Sequence, residues 1–173
     1  LITYDLYRTV PGTDRATLTE NLAEATEAVT GHGDGIVLFD LMLDPDTQST
    51  AARLMDALET QAPGMLVRNL EERFMHGLVI AQGEVTPFLI LTATEFNYAL
   101  SGMLAWETSL MTDLAPLLRT EATRTPAFSD ITAAAAAARG TQSLVYAVTD
   151  GATIVITTTR PALASLLTLH TQR

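Results

Sequence analysis

The chain contains no cysteine and no lysine, and each absence removes whole classes of chemistry. Without Cys there is no disulfide framework, no thiolate metal site and no thiol nucleophile. Without Lys there is no phosphate-loop lysine, no Schiff-base lysine and no kinase lysine. All ten basic residues are Arg, set against twenty acids for a formal charge of −10, and they are scattered singly along the chain. A nucleic-acid backbone demands clustered positive charge, so no nucleic acid is expected as a partner. An anionic membrane surface is unattractive for the same reason. No window approaches the roughly 18 apolar residues of a membrane-crossing helix, and no signal peptide is visible. The serine nucleophile elbow, the dinucleotide fingerprint, the EF-hand loop and the zincin motif are missing as well. No cofactor is expected.

What remains is 173 residues, 47% of them hydrophobic, enough to bury about two-thirds of the unfolded surface in one core. One soluble α+β domain over residues 1–173 is expected, with the polar stretch from Arg119 to Pro126 as surface loop or sub-division. Ile2 to Tyr7 alternates like a strand ending at the Pro11-Gly12 turn. Thr13 or Asp14 caps a helix bearing Leu18, Leu22, Ala25 and Val29, and Gly31 ends it. Gly35 to Phe39 reads as a strand covered on both faces and central in its sheet. Asp44-Pro45 has the form of an N-cap and first helical proline before the stripe Ala51, Leu54, Met55 and Leu58. Met65 to Leu70 has the length for further helical turns.

A predominantly antiparallel sheet follows from two hairpins, at about 74–92 and 144–158. The first turns at Gln82-Gly83-Glu84, the second at Asp150-Gly151. Thr94 is placed to cap a long helix that buries Phe96, Leu100, Met103, Leu104, Leu110, Met111 and Leu114. Gly102 within it predicts a close backbone contact. Thr159 and Pro161 start the last helix, carrying Leu163, Leu166, Leu167 and Leu169. The six alanines from Ala133 to Ala138 favour a short helix by propensity. Gly77 to Thr94 and Val145 to Thr159 match in pattern, which reads either as an internal duplication or as two instances of one common supersecondary unit.

Few residues offer chemistry. Asp40, Asp44 and Asp46, at a strand end and a helix start, are the candidate ligands for a hard cation; N-capping and the helix dipole account for Asp44 and Asp46 equally well. His76 with Glu71 and Glu72 is the candidate acid–base or metal group. His32, in Gly31-His32-Gly33-Asp34-Gly35, lies between helix and strand, the reverse of phosphate-loop order. Trp106 falls off the main stripe of its helix, where it either packs over the sheet edge or is exposed as the anchor for a protein partner.

The stretches Leu66 to Gly77, Pro87 to Leu91 and Ala99 to Glu107, with Asp113 to Leu117, resemble a family of uncharacterised bacterial proteins. Its members carry an "LEEKFMLG"-like stretch, an "AGMLxWE" helix and a closing "LLYxFxDxxTIVITT"-like hairpin. The closing piece here is Leu144 to Asp150 and Thr153 to Thr158. The likeness covers about residues 65–165, and departs at Ala133 to Ala138, where relatives have a polar or extended stretch. Members are commonly single-pass membrane proteins with a flexible linker before this domain. The resemblance therefore implies an extracytoplasmic, tethered interaction or scaffold domain at the cell envelope, its membrane segment outside this chain. The start at Leu1 fits an excised or processed fragment. Two alternatives stand beside this reading: a hydrolase or metal-dependent enzyme built on His76, and a subunit of a surface filament or secretion assembly pairing through its hairpin edges.

Overall fold

Gln82 and Gly83 both sit at positive φ, 54° and 80°, the pair that closes a two-residue hairpin with the natural twist of its strands. That turn lies at the middle of a computed structural model describing residues 4–120, 126–133 and 136–171. The chain runs β1 (Leu6–Pro11), α1 (Arg15–Val29), β2 (Gly35–Met42), α2 (Ala51–Ala57), α3 (Gly64–Arg68), β3 (Leu70–Ala81) and β4 (Glu84–Ala93). It continues through α4 (Phe96–Trp106), α5 (Leu110–Asp113), α6 (Ala115–Leu118), β5 (Ser129–Ile131), β6 (Ala136–Gly140), β7 (Val145–Thr149), β8 (Thr153–Thr157) and α7 (Arg160–Thr171).

The eight strands form one sheet in the order β1-β2-β3-β4-β8-β7-β6-β5. Among the described residues only β1 and β2 are parallel, joined by the crossover helix α1, and all other neighbours are antiparallel. The fold is α+β with a mostly antiparallel sheet, and both expected hairpins are present as β3–β4 and β7–β8. Strands from either side of residues 119–126 meet in that sheet. β2 is second from the edge rather than central, although Ile36 to Phe39 are buried on both faces as the apolar run requires.

The first core joins Val37, Phe39, Leu78, Leu89, Leu91, Ile154 and Ile156 of the sheet to apolar side chains from α1 through α6. A fully buried Leu contributes about 1.5–3 kcal/mol. Leu18, Leu22, Leu54, Leu58 and Leu66 are all in that class. The second core is smaller. It sets Leu163, Leu166 and Leu167 of α7 against Phe88, Ile90, Val145, Ala147 and Val155. Side chains alternate along a strand, so residues 88 and 90 face α7 while 89 and 91 face the other helices.

Several local expectations give way to tertiary structure. The alanine run does not form a helix: Ala136–Gly140 is β6, paired with both β5 and β7, and residues 134–135 lie outside the described set. Alanine's helix propensity is worth only tenths of a kcal/mol per residue against a completed backbone ladder. Arg139 reinforces the strand. Its guanidinium meets Glu107 at 2.5 Å (Nε) and 3.1 Å (Nη2) and Asp130 at 2.6 Å (Nη1), while the Tyr146 hydroxyl donates to Glu107 at 2.7 Å. Burial, and then the Glu107 carboxylate, raise the Tyr146 phenol above its ordinary range.

Asp44-Pro45 is not a helix start. Asp44 Oδ1 instead accepts from the Asp46 N–H at 2.9 Å, and Thr50 caps α2. Thr94 does not cap α4; Glu95 holds the N-cap position, and the Thr94 hydroxyl donates to Asn69 Oδ1 at 3.3 Å. The expected long helix is divided into α4, α5 and α6, and Leu104 is exposed.

Trp106 is fully buried, which rules it out as a surface anchor. Its true stripe is Ala99, Gly102, Met103 and Trp106, at the i, i+3, i+4, i+7 spacing of one helix face. Gly102 lets α3 approach, since a Cβ there would stand 2.7 Å from Leu66 Cβ. The indole Nε1–H donates to Asp113 Oδ2 at 2.7 Å. The same oxygen accepts from Ser109 Oγ at 2.8 Å and the Gln61 N–H at 2.8 Å. Arg15 closes the other side, donating to the carbonyls of Leu58, Asp113 and Thr112 at 2.7, 2.9 and 2.5 Å. A buried carboxylate so satisfied fixes four segments at once, and losing one donor costs roughly 1–3 kcal/mol.

Two substitutions test this packing by urea and thermal denaturation. Trp106→Phe keeps an aromatic ring but removes the donor and part of the buried volume, and is expected to destabilise by at least roughly 1–3 kcal/mol, the cost of the lost donor alone. Gly77→Ala would place a Cβ 2.1 Å from the Val37 carbonyl oxygen on the neighbouring strand, and is expected to lose roughly 3 kcal/mol or more, the top of the overpacking range. An unchanged midpoint in either variant contradicts the packing described.

Candidate functional site

His76 lies inside the sheet, 1% exposed, its ring 5.8 Å from that of Phe39. Nδ1 stands 2.7 Å from the Phe88 carbonyl oxygen; a carbonyl only accepts, so Nδ1 carries the proton. Burial pushes the imidazole down to about 4, against the smaller upward pull of the Phe88 hydrogen bond. It is neutral at pH 7 and closed to substrate. Glu71 and Glu72 are exposed near the start of β3, within the register irregularity between Leu70 and Phe74. No hydrogen bond or ion pair joins them to His76 among the described residues. The proposed acid–base group is therefore not assembled.

The three aspartates also part company. Asp44 pairs with Arg53 at 3.0 Å, and the Asp46 N–H, Thr47 and Arg53 together hold its carboxyl below the ordinary range. Asp46 is exposed in the same turn, whereas Asp40 projects from β2 next to Tyr7. Among the described residues no group of three or more His, Asp or Glu is placed to hold a metal ion. His32 is exposed, with Nδ1 3.2 Å from the Gly33 carbonyl oxygen.

A different grouping emerges from the unequal covering of the sheet. Among the described residues, six helices cover one face and α7 alone packs on the other, against β7 and β8. On that second face Tyr7 of β1 and Met42 of β2 are exposed, and Met75 and Val79 of β3 are only partly covered. Where α7 ends, a cleft of about 390 Å³ opens between its last turn and the strands, within the usual range for small-ligand sites. Asp40, Glu71, Arg73, Thr92, Thr153 and His170 bring polar groups to it, and Met75 and Ile90 line it with apolar surface. Ser49 is used structurally, donating to the Leu41 carbonyl at 2.5 Å and accepting from the Leu43 N–H at 3.0 Å. Partial burial of its hydroxyl, with Asp40 alongside, pushes the Tyr7 phenol up to about 12.

Asp40 and Glu71, singled out for unrelated chemistries in the sequence, thus share one cleft. Nothing in the local sequence around Arg73, Thr92, Thr153 or His170 resembles a catalytic or ligand-binding motif. The signal that finds the two threonines is the interruption of an inward-facing stripe: Phe88-Ile90 is followed by Thr92 on β4, and Val155 is preceded by Thr153 on β8, the two being direct partners; Arg73 and His170 carry no such local signal. Compared with models of protein families, with curated proteins and with solved structures, the chain matches none. The fold and cleft therefore define the class on their own: an α+β domain with one helix-covered and one half-open sheet face.

The buried imidazole generates a pH prediction. Unfolded His76 takes up a proton below about 6.5, whereas the folded protein resists until about 4. Its contribution is complete above pH 6.5 and is lost as pH falls toward 4, a total of roughly 3 kcal/mol at 1.36 per unit. His76→Gln, whose amide retains a donor for the Phe88 carbonyl, should remove that part of the slope in urea titrations between pH 7 and 4. An identical slope in the variant would assign the effect to other groups.

Proposed function

We propose that this chain is a non-catalytic interaction domain, the soluble part of a membrane-anchored bacterial cell-envelope protein held on the extracytoplasmic side, and that it meets a protein partner through the α7 face of its sheet. The observation that carries the proposal is the uneven covering just described: exposed Tyr7 and Met42 adjoin an open cleft on a face that one helix leaves half bare. Large apolar side chains grouped beside unpaired polar ones mark interaction surfaces more often than solvent-facing ones. The tether rests on the family resemblance. No helix among the described residues is long and apolar enough to cross a membrane, so in this reading the anchor belongs to a segment outside the chain. A formal charge of −10 favours a domain repelled from anionic lipid and held off it by a linker.

The filament alternative loses the feature that motivated it. All four hairpin strands are paired on both sides within the sheet, and its edges are β1 and β5.

Two measurements test the proposal. A photoreactive residue at Tyr7 should give a discrete crosslinked adduct in cells, while one at Glu20, exposed on α1, should not; equal yields at both would sink the choice of face. Fractionation of the complete gene product should place it in the membrane pellet through a high-salt wash, and a wholly soluble product would overturn the tether.

A further inference from the structure

We infer that the cleft at the end of α7 binds a small zwitterion, an α-amino acid or short peptide with an apolar side chain. In this arrangement Arg73 and His170 face its carboxylate, Asp40 and Glu71 its ammonium group, and Met75 with Ile90 its side chain. The inference rests on reading the α7 face as the binding face, and goes beyond it by naming a ligand class.

The first argument is the state of the charges. The described residues form ion pairs between Arg53 and Asp44, Arg139 and Glu107, and Arg139 and Asp130. None of these is in the cleft. Arg73 lines it together with Asp40 and Glu71, yet no ion pair forms between them among the described residues. Glu71 and Arg73 lie in the irregular stretch of β3 between Leu70 and Phe74, and Asp40 lies just past the last β2–β3 pair, Phe39 with His76. Separated charges of both signs suit a ligand that itself carries separated charges of both signs. With two carboxylates set beside one guanidinium, the cleft offers charge of both signs to a ligand.

The second argument is the use of hydroxyls. Thr157, at the opposite end of β8, donates its hydroxyl to the Pro87 carbonyl at 2.7 Å. Thr92 and Thr153 occupy equivalent inward positions where Ile90 and Val155 give way to them. Neither of their hydroxyls has a protein partner among the described residues, and no buried side-chain oxygen or nitrogen there lacks one. These two hydroxyls therefore face open space in the cleft, where they supply donors and acceptors to a bound ligand. A floor of Met75 and Ile90 beside them favours an aliphatic side chain over a polar one.

The test uses the intact chain, ¹⁵N-labelled, titrated with leucine, valine and leucyl-leucine to about 10 mM, above the millimolar limit of weak specific binding. Amide shifts are expected to concentrate at Asp40, Arg73, Thr92, Thr153 and His170. N-acetyl-leucine, which lacks the ammonium group, and leucinamide, which lacks the carboxylate, should each bind at least about tenfold more weakly, as should Arg73→Gln and Asp40→Asn with the zwitterions. Arg8→Gln, altered on the other face of β1, should bind as the parent does. Absence of cleft shifts with all three zwitterions overturns the inference, and so does equal binding of both one-charged analogues. A Tyr7 crosslink that survives alongside silent titrations removes the ligand assignment and leaves the interaction face standing.

Discussion

The antiparallel contact between β4 and β8 holds the molecule together. It is the one place in the sheet where the N-terminal four strands meet the C-terminal four, with Ile90 opposite Val155 at its middle and Phe88 opposite Thr157 and Thr92 opposite Thr153 at its ends. Both cores are assembled around it. Leu89, Leu91, Ile154 and Ile156 look toward the six-helix layer, and Phe88, Ile90 and Val155 look toward α7. A disturbance of this ladder would reach every helix in the fold.

The same contact explains what the sequence likeness between the hairpins means. Residues 88–94 correspond to 153–159, and the paired positions are related by an approximate two-fold through Ile90 and Val155. Corresponding strand residues face the same side of the sheet. The helices that follow do not: α4 joins the large core and α7 crosses to the other face. Two similar hairpins thus produce one covered face and one half-open face, and the cleft lies where that half-covering stops. Function, in the reading favoured above, grows from the point where the internal likeness breaks.

This also shows what a sequence can and cannot announce. Strand alternation, the Gln82-Gly83 turn and the Asp14 cap are local, and all three were legible. The burial of Trp106 was legible too, but only by counting Ala99 and Gly102 as members of the apolar stripe; small residues hide a face that packs closely. The alanine run was not, because its pairing with β5 and β7 is a tertiary matter that propensity does not register. The cleft was illegible for a different reason. Its groups come from β2, β3, β4, β8 and α7, and nothing short of the strand register brings Asp40, Arg73, Thr153 and His170 to one place. His76 misled in the opposite sense: a histidine near two glutamates looks chemical, while its Nδ1–H serves the Phe88 carbonyl in a dry interior.

The strand order carries a consequence for the chain as it is being made. β4 presents Phe88, Leu89, Ile90 and Leu91 along an edge whose partner, β8, lies far downstream beyond α4, α5, α6 and three further strands. At roughly 5–20 residues per second of synthesis, that apolar edge waits several seconds for its neighbour. During the wait the β3–β4 hairpin can be shielded on one face by the helices already emerged, but its free backbone edge is open to any extended segment nearby. The nascent chain is thus most vulnerable to misassembly at the strand that, once finished, is the best protected of all.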